Sequence, residues 1–234
     1  MTMLKNREDK IMRTINSTML CLLLAFGSTS TLADAAGEWK LERDKHNVKV
    51  FTRDVEGSAF KAFRGETVIN AELNRALALM DDTGACVEWM HTCKSPVLID
   101  KLTPLERFTY MVNDLPWPVT DRALLLRATI SQRMSDRVVT VSLETVAPDS
   151  LSEEQRGRLP AEKGVVLIEK AQGFFRFTPI DEQHTQVEYQ MHTEPGGALS
   201  ASLVNSMLVD TPFHTLKSMQ SVVLAEKYQD FRPF

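Results

Sequence analysis

The sequence has no strong excess of charge of either sign, few cysteines and almost no long hydrophobic run. Its 234 residues carry 27 Lys and Arg against 31 Asp and Glu, a formal net charge of −4, so no overall field draws the protein to nucleic acid or anionic lipid surfaces. With 43% hydrophobic and 25% charged residues, disordered, collagen-like and multi-span membrane classes are excluded. The composition is that of a globular protein whose partners are recognised locally.

One apolar stretch, Met19–Phe26, lies near the N-terminus. It is too short for a membrane-spanning helix. Arg13 precedes it and the small-x-small sequence Ala33-Asp34-Ala35 follows it, which is the order of a secretory signal peptide. We therefore predict that residues 1–35 are a signal peptide cleaved near Ala35 and that the mature protein is periplasmic or secreted. Met12 is an alternative translation start to Met1.

Two cysteines remain once Cys21 is removed with the predicted leader. In one unbroken helix Cys86 and Cys93 would lie roughly 10 Å apart, beyond the limit of about 7 Å between the Cα atoms of a disulfide, so a bridge requires a turn between them. We favour two buried free thiols, although the predicted compartment permits a disulfide. His91 lies between them, but a fourth ligand is not evident and the spacing matches no standard zinc pattern. We predict no metal and no cofactor.

The mature chain, residues 37–234, contains no linker, low-complexity tract or repeat, which predicts one domain. Alternating apolar and polar residues predict strands over residues 48–53, 60–69, 107–113, 124–131, 139–144, 165–177 and 185–193. Repeated hairpins of this kind form an antiparallel sheet. After the second strand, Asn70 is expected to cap a helix in which Leu73, Leu77 and Met80 recur at helical spacing.

A long helix is predicted after Pro195-Gly196-Gly197, over up to about thirty residues. Its apolar stripe consists of Ala201, Val204, Leu208, Pro212, Leu216, Met219 and Val223. Pro212 cannot donate to the carbonyl of Leu208, so the helix should bend there. A long amphipathic helix needs an apolar surface to lie on, and a curved antiparallel sheet is the large surface that the predicted strands offer. The pattern therefore predicts an α+β protein in which the sheet grips the helix.

Four motifs in this order resemble the START domain family of lipid-transfer proteins. They are Trp39, Pro116-Trp117-Pro118-Val119 running into Asp121-Arg122, residues 160–180, and Glu194-Pro195-Gly196-Gly197 leading to Leu203-Val204-Asn205. Together they cover nearly all of residues 37–234. The resemblance implies a helix-grip fold, in which a curved antiparallel sheet wraps around the C-terminal helix and a tunnel between them holds one lipid or other apolar molecule.

The chain departs from the family's pattern at positions where relatives carry polar or rigid residues. Ala128 stands at about the register where some animal members have an Arg that pairs with a carboxylate inside the tunnel. Leu167 stands where many relatives have an Arg, and Ser200 where many have a Pro. The contacts to a ligand's head group are therefore not carried over.

Candidate lipid-binding residues lie on the predicted strand faces and on the final helix. They are Tyr110, Val112, Leu124, Leu126, Val139, Val141, Tyr189, Met191, Val204, Leu208 and Leu216. An adaptable lining would also include Met90, Met111, Met207 and Met219, because thioethers conform to irregular guests. Plain core packing is the alternative for each residue, since periodicity does not distinguish a packed interior from a hollow one.

Two further expectations concern the entrance of the tunnel. Arg122, next to Asp121, is expected to form a structural ion pair, with anchoring of a ligand's head group as the alternative. Cargo needs an opening to enter and leave. We expect the helix before Pro212, hinged there or at Gly196-Gly197, to move together with the turn at residues 132–137.

The sequence contains no Gly-x-Ser-x-Gly elbow, phosphate loop or zinc-binding helix, so we predict a binding protein without catalytic residues. Helix-grip relatives such as polyketide cyclases perform chemistry in the same kind of cavity, which keeps an enzyme open as an alternative. In that case His91 or His192 would act with Glu144 or Glu188. A third class is an envelope adaptor whose cavity is filled by side chains.

The preferred interpretation is a monomer that carries or senses a lipid or other apolar small molecule in the periplasm. We expect transient contact with a membrane surface and no nucleic-acid partner. Sterol, phospholipid, fatty acid and quinone are not distinguished by the sequence.

Overall fold

The computed structural model describes residues 37–161 and 163–231; the predicted signal peptide and its cleavage site lie outside these residues. Within them, ten strands form one sheet. They are β1 (Lys40–Lys45), β2 (Val48–Arg53), β3 (Ala62–Ile69), β4 (Cys93–Thr103), β5 (Glu106–Asn113), β6 (Arg122–Arg133), β7 (Val138–Thr145), β8 (Val166–Leu167), β9 (Lys170–Pro179) and β10 (Thr185–Glu194). The α-helices are α1 (Leu73–Asp81), α2 (Cys86–Trp89), α3 (Glu153–Gly157), α4 (Ala201–Met207) and α5 (Asp210–Val222).

The strand order is β1-β2-β3-β10-β9-β7-β6-β5-β4, and every neighbouring pair in it is antiparallel. The short β8 joins the first residues of β6 in parallel. The predicted α+β helix-grip fold, a curved antiparallel sheet with a C-terminal helical segment against it, is confirmed.

The two faces of the sheet pack against different parts of the chain. We call the face toward α5 the inner face; alternate residues of the strands point to it, as Val48 and Val50 of β2 and Tyr189 and Met191 of β10 do. The opposite, outer face is open over much of the sheet, but over β4, β5 and β6 it packs against Val146, Leu151, Leu159, Val165 and Leu167. Residues on both faces of β5 and of the first half of β6 are therefore buried.

Helix α5 packs across β2 and β3 on the inner face and also against α2. A glycine makes the close approach to β3 feasible. A Cβ atom on Gly65 would lie 2.7 Å from Leu216 Cδ1 and 3.0 Å from Pro212 Cβ, which is closer than ordinary packing allows. The contact between sheet and helix therefore depends on the missing side chain at Gly65.

The predicted long C-terminal helix is confirmed, and it consists of two helical segments, α4 and α5. The interruption lies at Leu208 and Val209, between α4 and α5. Pro212 is in the first turn of α5, where its missing N–H is tolerated and where it leaves the Leu208 carbonyl without the helical donor. The predicted disturbance of the helix near Pro212 is thus confirmed as an interruption of the helical hydrogen bonds, while Leu208 and Val209 keep right-handed helical backbone angles.

Three local predictions also need correction. Glu72, not Asn70, is the N-cap residue of α1, and its side chain forms no capping hydrogen bond. The single strand predicted over residues 165–177 is divided into β8 and β9, because β8 pairs with β6 whereas β9 pairs with β7 and β10. Strands β1 and β4 were not predicted, since β1 is largely exposed and charged and the pairing of β4 with β5 has three register shifts.

Cys86 and Cys93 form a disulfide, so the prediction of free thiols is wrong. Helix α2 ends at Trp89, Met90 is extended, and Thr92 has a positive φ of 65°. This reversal brings the two Cα atoms to 5.9 Å, within the range of a bridge. The condition that a turn must separate the cysteines is met.

Candidate ligand-binding cavity

A cavity of about 400 Å³ lies between the inner face of the sheet and the two C-terminal helices. Its apolar walls include Phe63, Met90, Met111, Leu124, Leu126, Leu143, Ile168, Tyr189, Met191, Val204, Met207 and Leu208. Small-molecule sites typically have volumes of about 300–1,000 Å³ and mostly apolar walls. The open volume contradicts the adaptor alternative, in which side chains fill the interior.

A second cavity of about 70 Å³ adjoins the first toward α1 and α2. The two share Met90, Met111, Leu126 and Leu143 as wall residues. Two of these four are methionines, whose unbranched side chains adapt to irregular guests. A ligand in the larger cavity therefore has room to extend when these side chains change rotamer.

The structure brings a subset of the predicted lining residues together. Those that line the larger cavity are Leu124, Leu126, Tyr189, Met191, Val204 and Leu208, with Arg122 at the mouth. Val141 lines the smaller cavity. Val139, Leu216 and Met219 are buried in the core of the inner face and do not line the larger cavity.

Tyr110 and Val112 are placed differently from the prediction. Both belong to the cluster on the outer face of the sheet, with Ile99, Leu125 and Leu151, although Tyr110 also borders the smaller cavity. The reason is that Leu151, Leu159, Val165 and Leu167 cover this part of the outer face. The predicted alternation of β5 is correct, but apolar residues lie on both of its faces. The prediction assigned the outer face, with Tyr110 and Val112, to the cavity, whereas Met111 of the inner face lines it.

Several lining residues were not predicted from the sequence. Phe63, Leu143 and Ile168 lie deep in the cavity, and Asn113 and Thr193 lie beside its mouth. Leu143 shares its face with Val141 at a spacing of two, so strand alternation was a sufficient signal for it. No local pattern distinguishes Ile168, which follows the short β8.

The deep end of the cavity is aromatic. The ring of Tyr189 stacks on Phe175 with centroids 4.0 Å apart and meets Phe63 edge-on at 4.9 Å. Trp89 packs edge-on against the same Phe175 at 5.8 Å, and its Nε1 has no hydrogen-bond partner among the described residues. Burial raises the pKa of Tyr189 far above its ordinary value, so the phenol is neutral. Interlocked rings give the cavity a rigid, uncharged floor.

The mouth of the cavity carries a buried guanidinium. Arg122 is only 3% exposed; its Nε donates to Pro195 O at 3.2 Å, its Nη2 to Gly196 O at 3.2 Å, and its Nη1 to Thr120 O. Gly196 has a φ of 65°, a left-handed conformation that suits glycine. Burial lowers the pKa of Arg122, but a guanidinium remains a cation in a protein.

The predicted ion pair between Arg122 and Asp121 is wrong. The Asp121 carboxylate binds Lys94 Nζ at 2.8 Å and accepts the Leu115 N–H at 3.1 Å, and these bonds lower the pKa of Asp121, the bond to Lys94 most. Adjacent strand residues point to opposite faces, so Asp121 and the cavity-facing Arg122 diverge. Asp121 acts on Arg122 only through space.

One histidine reaches the cavity. His91 lines the wall, its backbone N–H donates to Thr215 Oγ1 at 3.0 Å, and its ring centroid is 4.8 Å from that of His214. Burial, and then the coulombic effect of the neighbouring His214, lower the pKa of His91, whereas Asp210 raises it by a smaller amount. The ring is therefore neutral at pH 7.

The acid–base pairs considered for an enzyme are not assembled in the cavity. His192 lies on the outer face, with Nε2 3.2 Å from Phe60 O. Glu188 binds Arg176 at 2.9 Å, and Glu144 lies 3.6 Å from Arg127, also on the outer face. His192 and Glu144 border a shared polar groove there, separated from His91 by the sheet.

An apolar rim surrounds the entrance. We use this name for Leu115, Pro116 and Trp117 in the loop before β6, and for Leu199 and Leu203 at α4. Leu115, Pro116 and Leu199 line the cavity itself, while Trp117 is 93% exposed and Leu203 is 40% exposed. Trp117 and Leu203 thus present apolar surface to solvent.

Neither a membrane span nor a metal centre is found in the described part of the chain. None of its helices is both long and apolar enough to cross a bilayer. Among residues 37–161 and 163–231, no three His, Cys, Asp or Glu side chains are grouped to hold a metal ion.

Comparison with known proteins gives a consistent result. The family model described as START domain matches residues 27–224. An uncharacterized protein of Pseudomonas aeruginosa is 35% identical over 192 residues, which are 82% of this chain and 89% of that protein. The structure of a STAR-related lipid transfer protein from Xanthomonas axonopodis is 35% identical, with a TM-score of 0.70 over 80% of this chain and 99% of that one.

Two human structures share the fold at low identity. Human StAR-related lipid transfer protein 5 is 17% identical, with a TM-score of 0.67 over 82% of this chain and 88% of that chain. Human STARD10 is 16% identical, with a TM-score of 0.66 over 81% and 74%. The fold around the cavity is therefore common to proteins whose sequences have diverged widely.

Proposed function

Because this chain belongs to the START domain family, we propose that it binds one lipid or other apolar molecule in the larger cavity and carries it through the periplasm. The observation that supports this proposal is the cavity of about 400 Å³ with largely apolar walls. The similar protein from Xanthomonas axonopodis is described as a lipid transfer protein. The periplasmic location depends on the predicted signal peptide at residues 1–35.

The energetics of extraction require such a cavity. A lipid that leaves a membrane loses about 0.8 kcal/mol of favourable burial for each methylene group. A carrier must return a comparable amount by enclosing the chain in a dry apolar space. Leu124 and Leu126 from the sheet and Val204 and Leu208 from the helical segment supply that surface from opposite sides.

The apolar rim suits the contact with the donor or acceptor membrane. Trp117 is at its most exposed point, and tryptophan favours the interface between head groups and acyl chains. The net negative charge of the chain offers no electrostatic anchoring to anionic lipids. Contact through a few apolar side chains is weak, so it is transient, as a carrier requires.

Helix α4 is the segment best placed to open. It contributes no fully buried residue, whereas α5 contributes five. Gly196 and Gly197, with φ values of 65° and 64°, precede it, and the break at Leu208 follows it. Asn205 fastens the closed position, because its side chain accepts the Lys61 N–H at 3.0 Å and donates to Ala59 O at 3.3 Å.

The turn at residues 132–137 is not part of this opening. It follows the far end of β6, whose first residue, Arg122, is at the mouth. At about 3.3 Å per residue, the twelve residues of β6 separate the two ends by more than about 30 Å. The moving segment proposed here is therefore α4, with hinges at Gly196-Gly197 and at Leu208.

A vesicle transfer assay tests the proposal. Donor vesicles contain a fluorescent fatty acid or phospholipid with a quencher, and acceptor vesicles contain neither. The purified protein should accelerate the rise in fluorescence. Leu124→Trp, which projects a bulkier ring into the cavity, should reduce the acceleration, while Thr129→Trp, which places the same ring on the exposed outer face of β6, should retain it. Equal transfer by the two variants would contradict a route through the cavity.

A further inference from the structure

We propose that Arg122 is an anion-binding subsite, so that the cargo is an amphiphile with a carboxylate or phosphate head group and not a neutral lipid. This inference rests on the proposed function and names its ligand class. It places the charged head at the mouth of the cavity and the hydrocarbon chain toward the aromatic floor.

The charge of Arg122 is not neutralised within the described chain. Its three hydrogen bonds go to backbone carbonyls of Thr120, Pro195 and Gly196, which are neutral acceptors. Among residues 37–161 and 163–231, no carboxylate forms an ion pair with it, because Asp121 is occupied by Lys94. A buried charge is ordinarily paired, since an unpaired one is costly. An anionic ligand would supply the missing partner.

The guanidinium also has donors to spare. It carries five N–H groups, of which the three backbone contacts use one on each nitrogen. One N–H remains on Nη1 and one on Nη2, which is the pair that forms bidentate bonds to a carboxylate or phosphate.

The chain leaves space next to this pair of donors. A Cβ atom on Gly197 would lie 3.3 Å from Arg122 Nη2, so a side chain at that position would crowd the guanidinium. Asn113 and Thr193 line the cavity near Arg122 and add polar groups at the mouth. His91, Thr92, Asp210 and Thr211 also line the cavity, and the Asp210 carboxylate is paired with Arg43 Nη2 at 2.9 Å. Arg122 is therefore the cavity-lining cation that has no carboxylate partner among the described residues.

The spacing of polar and apolar walls fits an amphiphile. Thr193, near the mouth, and Tyr189, in the aromatic floor, are four residues apart on β10, which is about 13 Å along a strand. A head group held by Arg122 therefore points its chain at Leu124, Leu126 and the rings of Phe63 and Tyr189. Few precisely placed polar groups in an otherwise apolar pocket are the usual arrangement for orienting a ligand.

The competing explanation is that Arg122 only clamps the two loops at the mouth. Binding selectivity of the unaltered protein separates the explanations. Affinities are measured for hexadecanoate, hexadecyl phosphate and hexadecanol, which share one chain and differ in head group, by displacement of a neutral fluorescent probe at a pH where both anions are ionised. The subsite predicts that at least one anion binds at least tenfold more tightly than the alcohol.

Variants then locate the selectivity. Arg122→Gln should lose at least tenfold in affinity for the preferred anion with little change for hexadecanol, and Arg122→Lys should retain part of the preference. Arg127→Gln, which removes a guanidinium from the outer face, is the matched control and should keep the full preference. If Arg122→Gln does not fold, the selectivity of the unaltered protein and of Arg122→Lys decides the matter.

The outcomes separate the inference from the function on which it rests. A preference for hexadecanoate or for hexadecyl phosphate supports the subsite and identifies which of the two head groups it binds. Hexadecanol binding as tightly as both anions would overturn the inference and leave the carrier intact. Failure of all three probes to bind would overturn the carrier function and the inference with it. A full anion preference that persists in Arg122→Gln would also overturn the assignment to Arg122.

Discussion

The Cys86–Cys93 disulfide should contribute measurably to stability, because it closes a loop that forms part of the cavity wall. The loop carries Trp89, Met90 and His91, which line the two cavities. The cysteines are 7 positions apart, so the closed loop is short. Restricting a loop of this length in the unfolded chain stabilises the folded state by about 2.5 kcal/mol in the chain-entropy model.

This free energy corresponds to a clear thermal shift. For a domain of this size, 1 kcal/mol changes Tm by roughly 2–4 °C, so loss of the bridge should lower Tm by about 5–10 °C. The assay is thermal unfolding followed by circular dichroism, with and without a phosphine reductant. The Cys86→Ala/Cys93→Ala variant should match the reduced protein and should not respond to the reductant.

Two results would contradict this prediction. Alkylation of the unreduced, processed protein should modify neither Cys86 nor Cys93, and full modification of both would show that the bridge is absent. If the bridge is present but its reduction leaves Tm unchanged, the loop-closure reasoning is refuted. The reduced protein should also bind apolar probes more weakly, since the loop supplies wall residues.

Three further predictions follow from single positions. Gly65→Ala should lower the free energy of unfolding by about 1–3 kcal/mol through contact with α5, whereas Gly157→Ala, with open space around its Cα, should not; equal urea midpoints for the two variants would contradict this packing. Because the pKa of His91 is lowered, protons favour the unfolded state, so stability should fall as pH drops below the ordinary histidine value of about 6.5. In urea titrations His91→Gln should flatten this slope, and His214→Gln should shift the pKa of His91 upward in an NMR titration; an unchanged slope and pKa would contradict the assignment. Trp117→Ser should reduce binding to lipid vesicles in a flotation assay without changing Tm. Undiminished flotation would show that the apolar rim does not contribute to membrane binding.

The sequence predicted the sheet well where a strand has one apolar and one solvent-exposed face. Val48 and Val50 in β2 and Tyr189 and Met191 in β10 were assigned to the correct face for this reason. The same rule failed in β5, because Leu151, Leu159, Val165 and Leu167 bury its outer face, so that apolar residues occupy both faces of the strand. Strand alternation reports how many faces are buried, but it does not identify the element that buries them.

The features missed at the site depend on contacts between distant residues. Arg122 donates a hydrogen bond to the carbonyl of Pro195, 73 positions away. No local sequence pattern predicts such a bond. The turn between Cys86 and Cys93 is local, but it depends on the positive φ of Thr92, a conformation that the residue type does not predict. The hollow interior followed from the resemblance to the START domain family and not from periodicity, since a packed and a hollow core have the same hydrophobic pattern.

The central claim is that the larger cavity holds cargo, and native mass spectrometry tests it most directly. The protein is incubated with a lipid extract, separated from it and measured intact. The account predicts one added ligand mass per chain in the unaltered protein and in Thr129→Trp, and a smaller bound fraction in Leu124→Trp. Bare protein mass in the unaltered chain, or an equal bound fraction in Leu124→Trp and Thr129→Trp, would contradict it.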